Sequence, residues 1–140
     1  MAVLYLVVGR LLAADVSVVC ESAFRRRAAE PDLRPLVGLA RTVLLHCQTT
    51  EAVAFSRYVE RVESGRRRPC HGDGERIALV RSGQLRLAPD LYEPPDLGIP
   101  TLRVDTTEGY APGFEAIVAF VRVAGAAATA FPGAARRTRA

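Results

Sequence analysis

Arg57 and Arg61 stand four residues apart and lead into Ser64-Gly65-Arg66-Arg67-Arg68-Pro69-Cys70-His71-Gly72-Asp73-Gly74. On a helix, residues four apart share a face, so the two guanidinium groups repel each other by a few tenths of a kcal/mol, an effect that Glu60 partly offsets. An anionic ligand would turn that repulsion into charge-assisted, bidentate hydrogen bonds. The chemistry such a stretch suits is the holding of a polyphosphate, with Arg61, Arg66 and Arg67 on phosphate and Arg57 in support. A solvated, arginine-rich surface loop accounts for the local spacing equally well.

Three other positions offer reactive or ligating groups. Glu21 follows the β-branched run Val16-Ser17-Val18-Val19-Cys20, where a carboxylate could take a proton or face a Mg²⁺ ion through water. Capping of the next segment is the plainer role. Arg25, Arg26 and Arg27 come next; one of them could face an acceptor, but a solvated charge run explains at least two of the three. Asp105-Thr106-Thr107 could line a base or ribose site, although Asp and Thr are also ordinary turn and cap residues. His46-Cys47 and Cys70-His71 invite a metal reading that the spacing rejects. Neighbours on a strand point to opposite faces, and no C-x₂-C or H-x₃-H pattern exists. No metal ligand set and no cysteine nucleophile with a partner base is expected.

Composition removes one class of site. All 19 basic residues are arginine, so no G-x-x-x-x-G-K-[ST] phosphate loop can occur in these 140 residues. A net charge of +4 favours anionic ligands mildly and argues weakly for nucleic acid. The aromatic content of 6%, without tryptophan, argues against base stacking. Three scattered cysteines predict free thiols in a reducing, cytoplasmic setting. The apolar run 1–9 is too short to span a bilayer, is interrupted by Arg10 and has no basic residues ahead of it; a buried helix entered abruptly is expected, and no membrane association.

Around these residues the periodicity predicts the following elements. A helix over about 3–14 carries Leu4, Val7, Val8, Leu11 and Leu12, apolar on more than one side. Strands are expected at 16–21, 41–47 and 101–105. Further helices open at Pro31, at Thr49 or Thr50, near Glu75 and at Pro112. Pro94-Pro95 enforces an extended connection. Alternating helices and strands argue for a three-layer α/β domain with a mostly parallel sheet over residues 1–124, followed by a disordered Ala/Gly/Arg-rich tail over 125–140. The three strand ends, Glu21, His46/Cys47 and Asp105, then stand where such sheets bind ligands.

The segments Val18-Val19-Cys20-Glu21-Ser22-Ala23-Phe24-Arg25, Arg61-Val62-Glu63-Ser64-Gly65-Arg66-Arg67 and Val104-Asp105-Thr106-Thr107-Glu108-Gly109-Tyr110 occur in the order, and near the spacing, of a known architecture. Together they resemble the P-loop kinases of adenylate-kinase-like topology, especially the small bacterial ATP-dependent kinases that include zeta toxins and antibiotic phosphotransferases. The resemblance covers about residues 3–122. It implies ATP and Mg²⁺ as cofactors and phosphoryl transfer to a small-molecule acceptor. It implies Glu21 as the base or Mg²⁺-side acid, Arg25 as the acceptor contact, Arg61, Arg66 and Arg67 as lid residues neutralising the transferred group, and Asp105 and Thr107 on the adenine side.

The family's opening strand, glycine-rich loop and helix have no counterpart here, so the fold is expected to be N-terminally incomplete and the chain inactive as a kinase by itself. Three arrangements meet that gap: a fragment or misassigned start, direct pairing of 16–21 with 41–47, or a missing edge supplied by a second copy or partner. The alternative function is a non-enzymatic, arginine-rich module that binds nucleotide or nucleic acid.

Overall fold

Helix α1 (Ala2–Ala13) forms where the apolar spacing predicts it and ends in a left-handed cap. Asp15 takes φ 62° and occupies the position that glycine usually fills. Its N–H donates to Leu12 O and that of Val16 to Leu11 O, both at 3.0 Å, closing the last turn. The computed structural model describes residues 2–65, 72–85 and 93–127; within them the chain is mixed α/β, with five helices and a two-stranded parallel sheet.

After α1 come α2 (Glu30–Val37), β1 (Leu44–Gln48), α3 (Glu51–Glu63), α4 (Asp73–Arg81), β2 (Thr101–Asp105) and α5 (Phe114–Ala127). Thr50 caps α3 by accepting the Val53 N–H at 3.3 Å, and Glu51 adds favourable charge in the first turn. The α3–α4 pair forms the crossover between the two strands, as parallel pairing requires. A Tyr58 hydroxyl bond of 2.6 Å to Asp73 Oδ1 ties α3 to α4. The register runs from Leu44 opposite Thr101 to Gln48 opposite Asp105. Val104, 1% exposed, is the deepest side chain of the sheet.

Two expectations are corrected. Residues 16–21 form no strand and join no sheet among the described residues, so neither a third strand nor direct pairing with 41–47 is present. Val19 is fully exposed there. A β-branched run favours extended backbone, but pairing needs a free neighbouring edge in register, and β1 meets β2 instead. The apolar helix α1 is not buried on more than one side. It packs on α2 along one stripe, with Tyr5 8% exposed while Val3 and Leu6 stay open to solvent. Gly9 allows the close approach of the two helices, since a Cβ there would stand 3.2 Å from Leu36 Cδ2.

The proline-rich segment 93–100 is held against α2 by a polar cluster. Asp96 N–H donates to Glu30 Oε1 at 2.8 Å, and Arg34 Nη2 donates to Asp96 O at 2.8 Å. Arg26 adds ion pairs to Glu30 at 4.0 Å and to Asp96 at 3.9 Å. The Asp96 N–H is the main reason the Glu30 carboxyl sits below its usual range. From that anchor Pro100 O accepts the Leu44 N–H at 2.9 Å, extending the ladder into β1 and β2. Helix α5 runs to Ala127, past the expected domain end at 124; the tail from 128 onward lies outside the described residues. No helix among the described residues is long and apolar enough to cross a membrane.

Candidate functional site

The two parallel strands end side by side, and the residues just beyond them are bound to one another. Thr106 donates both its backbone N–H (2.8 Å) and its hydroxyl (2.9 Å) to Gln48 O. Thr49 Oγ1 and Thr107 Oγ1 lie 3.1 Å apart as a hydrogen-bonded pair. Asp105 Oδ1 accepts the Thr107 N–H at 2.7 Å. The Thr107 hydroxyl, and after it this N–H, holds the Asp105 carboxyl below the usual range, so the group is a carboxylate at neutral pH. The chain then turns back through Ala111, which exchanges two backbone hydrogen bonds with Asp105 at 2.8 and 2.9 Å before a cis Ala111–Pro112 peptide.

Helix α3 leaves the end of β1 and carries its basic face over this corner. Ala54, Arg57, Arg61 and Ser64 fall at i, i+3, i+7 and i+10 and, with Glu60 and Thr49, border an open cleft of about 420 Å³. Arg57 is partly committed within the protein: its Nη2 donates to Thr106 O at 2.7 Å and to Thr107 O at 3.0 Å. Arg61 is anchored more loosely, by Nε to Arg57 O at 3.2 Å. Its two terminal nitrogens have no protein partner among the described residues and are available to a ligand. Among the described residues the cleft therefore offers two guanidinium groups and two hydroxyls against a single carboxylate, Glu60.

The residues singled out from the sequence divide into groups. Arg57 and Arg61 come together in the cleft, and Asp105 and Thr107 adjoin it through the Thr49 and Arg57 contacts. Arg25 borders a different hollow beside α1, and Glu21 borders neither. Arg66 and Arg67 lie outside the described residues, as do Cys70 and His71. Cys20 and Cys47 are free thiols. His46 stands opposite Arg103 in the ladder; burial, with the Arg103 charge second, lowers its pKa and favours the neutral ring. Among the described residues no cluster of three His, Cys, Asp or Glu side chains gathers as metal ligands. Sequence reasoning missed Thr49 and Ser64 as cleft residues. Ser64 was readable from its helical spacing to Arg57 and Arg61, whereas Thr49 depends on where β1 ends.

No family model, curated protein or solved structure matches the chain.

Proposed function

We propose that the cleft beyond β1 and β2 binds the phosphate groups of a nucleotide, ATP foremost. One observation carries this reading: Arg61, whose terminal nitrogens have no partner among the described residues, borders the same cleft as Arg57, Thr49 and Ser64 at the carboxyl ends of parallel strands. Ligands of open α/β sheets bind at that end, and a guanidinium group pairs with phosphate through two parallel hydrogen bonds. In this reading Arg61 is the principal phosphate ligand. Arg57 adds charge while holding α3 to the Thr106–Thr107 corner, and Asp105 and Thr107 face the nucleoside. Arg66 and Arg67, the other phosphate residues of this reading, lie outside the described residues.

The wider proposal is a three-layer, P-loop-kinase-like fold serving phosphoryl transfer from ATP to a small-molecule acceptor, with Glu21 as acid or base and Arg25 on the acceptor. The basic cleft fits ATP by charge. Mg²⁺ fits only as an ion carried in by the phosphates, with Glu60 as the nearby carboxylate. A bound ion would neutralise phosphate charge, and this chain's own contribution is to bind and orient the phosphates. A second reading, a nucleotide-binding module without transfer, is favoured by one feature: Glu21 and Arg25 border no part of the cleft.

Titration calorimetry with ATP, MgATP and pyrophosphate tests the binding claim. Loss of one charge-assisted contact predicts about tenfold or greater weakening on Arg61→Ala. Absence of binding, or binding indifferent to Arg61→Ala, would overturn it. Single-stranded DNA titrated at two salt concentrations tests the nucleic-acid alternative, for which affinity must fall steeply with salt. Turnover near ~1 s⁻¹ by the purified chain would favour the enzyme over the binding module.

A further inference from the structure

A second hollow, of about 360 Å³, lies beside α1 and shares no lining residue with the cleft among the described residues. Tyr5, Arg25 and Asp32 border it together with Ser22 and the alanines 23, 28 and 29. Its volume falls in the range of about 300–1,000 Å³ usual for small-molecule pockets. Its two charged groups are not used up among the described residues, whereas Ser22 already has a partner. Arg25 and Asp32 face the same space without coming within the 4.0 Å of an ion pair, and neither side chain has another partner among the described residues. The neighbouring arginines behave otherwise: Arg26 and Arg34 are both taken up by Glu30 and Asp96.

Tyr5 supplies the third group. The residue is 8% exposed, and its hydroxyl has no hydrogen-bond partner among the described residues. No fully enclosed side-chain nitrogen or oxygen lacks a partner there, so this hydroxyl keeps access to solvent. Burial, with the Asp32 charge second, raises the phenol pKa. That places the carboxylate within electrostatic reach of the ring and keeps the phenol a neutral donor near pH 7.

A cation and an anion held apart across one small hollow select against ligands of a single sign. A simple anion gains from Arg25 and is opposed by Asp32; a simple cation meets the reverse. A molecule carrying both charges satisfies both side chains. We propose that this hollow binds a small amphoteric ligand, its carboxylate on Arg25 and its ammonium on Asp32. The Tyr5 hydroxyl serves as a further hydrogen-bond partner, and the three alanines lie against the ligand's apolar part. The proposal rests on the hollow's own groups and is independent of nucleotide binding at the cleft.

Two matched sets of probes, titrated into the full chain and followed by NMR or calorimetry, test it. L-serine is compared with ethanolamine and 3-hydroxypropanoate, and the longer 4-aminobutanoate with butylamine and butanoate. At least one zwitterion is expected to bind, with each of its single-charge analogues weaker by about tenfold or more, the effect of losing one charged contact. Arg25→Gln should remove the advantage of the zwitterion over the amine, and Asp32→Asn its advantage over the acid. Both positions are exposed, and far-UV circular dichroism checks that each variant stays folded. The proposal is overturned if neither zwitterion binds at about 10 mM, a concentration at which even weak millimolar sites fill. It is equally overturned if a single-charge analogue binds as well as its zwitterion, or if both folded variants bind like the parent.

Discussion

Replacing Arg57 by alanine separates its role as a tether from any role in holding a ligand. In the structure one nitrogen, Nη2, donates to Thr106 O at 2.7 Å and to Thr107 O at 3.0 Å, joining α3 to the end of β2 across 49 and 50 residues of sequence. A hydrogen bond from a charged donor contributes about 1.5–3 kcal/mol when shielded, and less than about 1 kcal/mol when solvent competes. Arg57 is exposed, so the pair should contribute about 1–2 kcal/mol in total. For a chain near this size that corresponds to a fall in Tm of roughly 3–8 °C. Urea unfolding should show a lower midpoint with an unchanged slope, because the surface exposed on unfolding barely alters. Arg61→Ala is the internal control: it loses one 3.2 Å bond to a carbonyl of its own helix, and should cost less than about 0.5 kcal/mol. Its effect should appear in ATP binding instead. Equal midpoints for the two variants would refute the reasoning, since the long-range tether would then contribute nothing beyond a local contact.

Further outcomes follow from the same geometry. Val104→Ala removes two methyl groups from the deepest position of β2 and should cost about 2–3 kcal/mol in urea unfolding, transfer and cavity terms together. Thr50→Ala leaves the Val53 N–H without its cap and should cost about 1 kcal/mol, seen as a lower midpoint without change in fold. The Asp105 carboxyl is held low by Thr107, so its contribution to stability is present above the ordinary carboxylate pKa and is lost as pH falls through the lowered value. Thr107→Val removes the hydroxyl and keeps the N–H. A carboxyl titration by NMR should then show the Asp105 pKa moving up toward normal, and acid unfolding should begin at a higher pH than in the parent.

Much of the fold was legible locally. The apolar spacing of α1, Thr50 before Glu51, and the run Thr101-Leu102-Arg103-Val104-Asp105 each state their conformation within a few residues, because helix periodicity, capping and β-branching act at that range. Strand β1 lies within reach of its expected span but starts at Leu44 and extends to Gln48, since its ends are set by its partner's register. The stretch 16–21 reads locally as a strand but joins no sheet among the described residues, pairing being a property of the distant chain that supplies the other edge.

The site follows the same division. The sequence alone excluded a lysine-bearing phosphate loop and placed Arg57 and Arg61 on one helical face, both direct consequences of composition and a 3.6-residue turn. Tertiary structure decided what those groups touch. Arg57 is drawn to the carbonyls of Thr106 and Thr107, while Arg61 keeps its terminal nitrogens. Thr49 meets Thr107 because two strands end level, and Arg25 faces Asp32 across a hollow that Tyr5 of a preceding helix completes. Such pairings join residues whose separation in sequence carries no periodic signal; they exist only once helix packing and strand register bring the ends together.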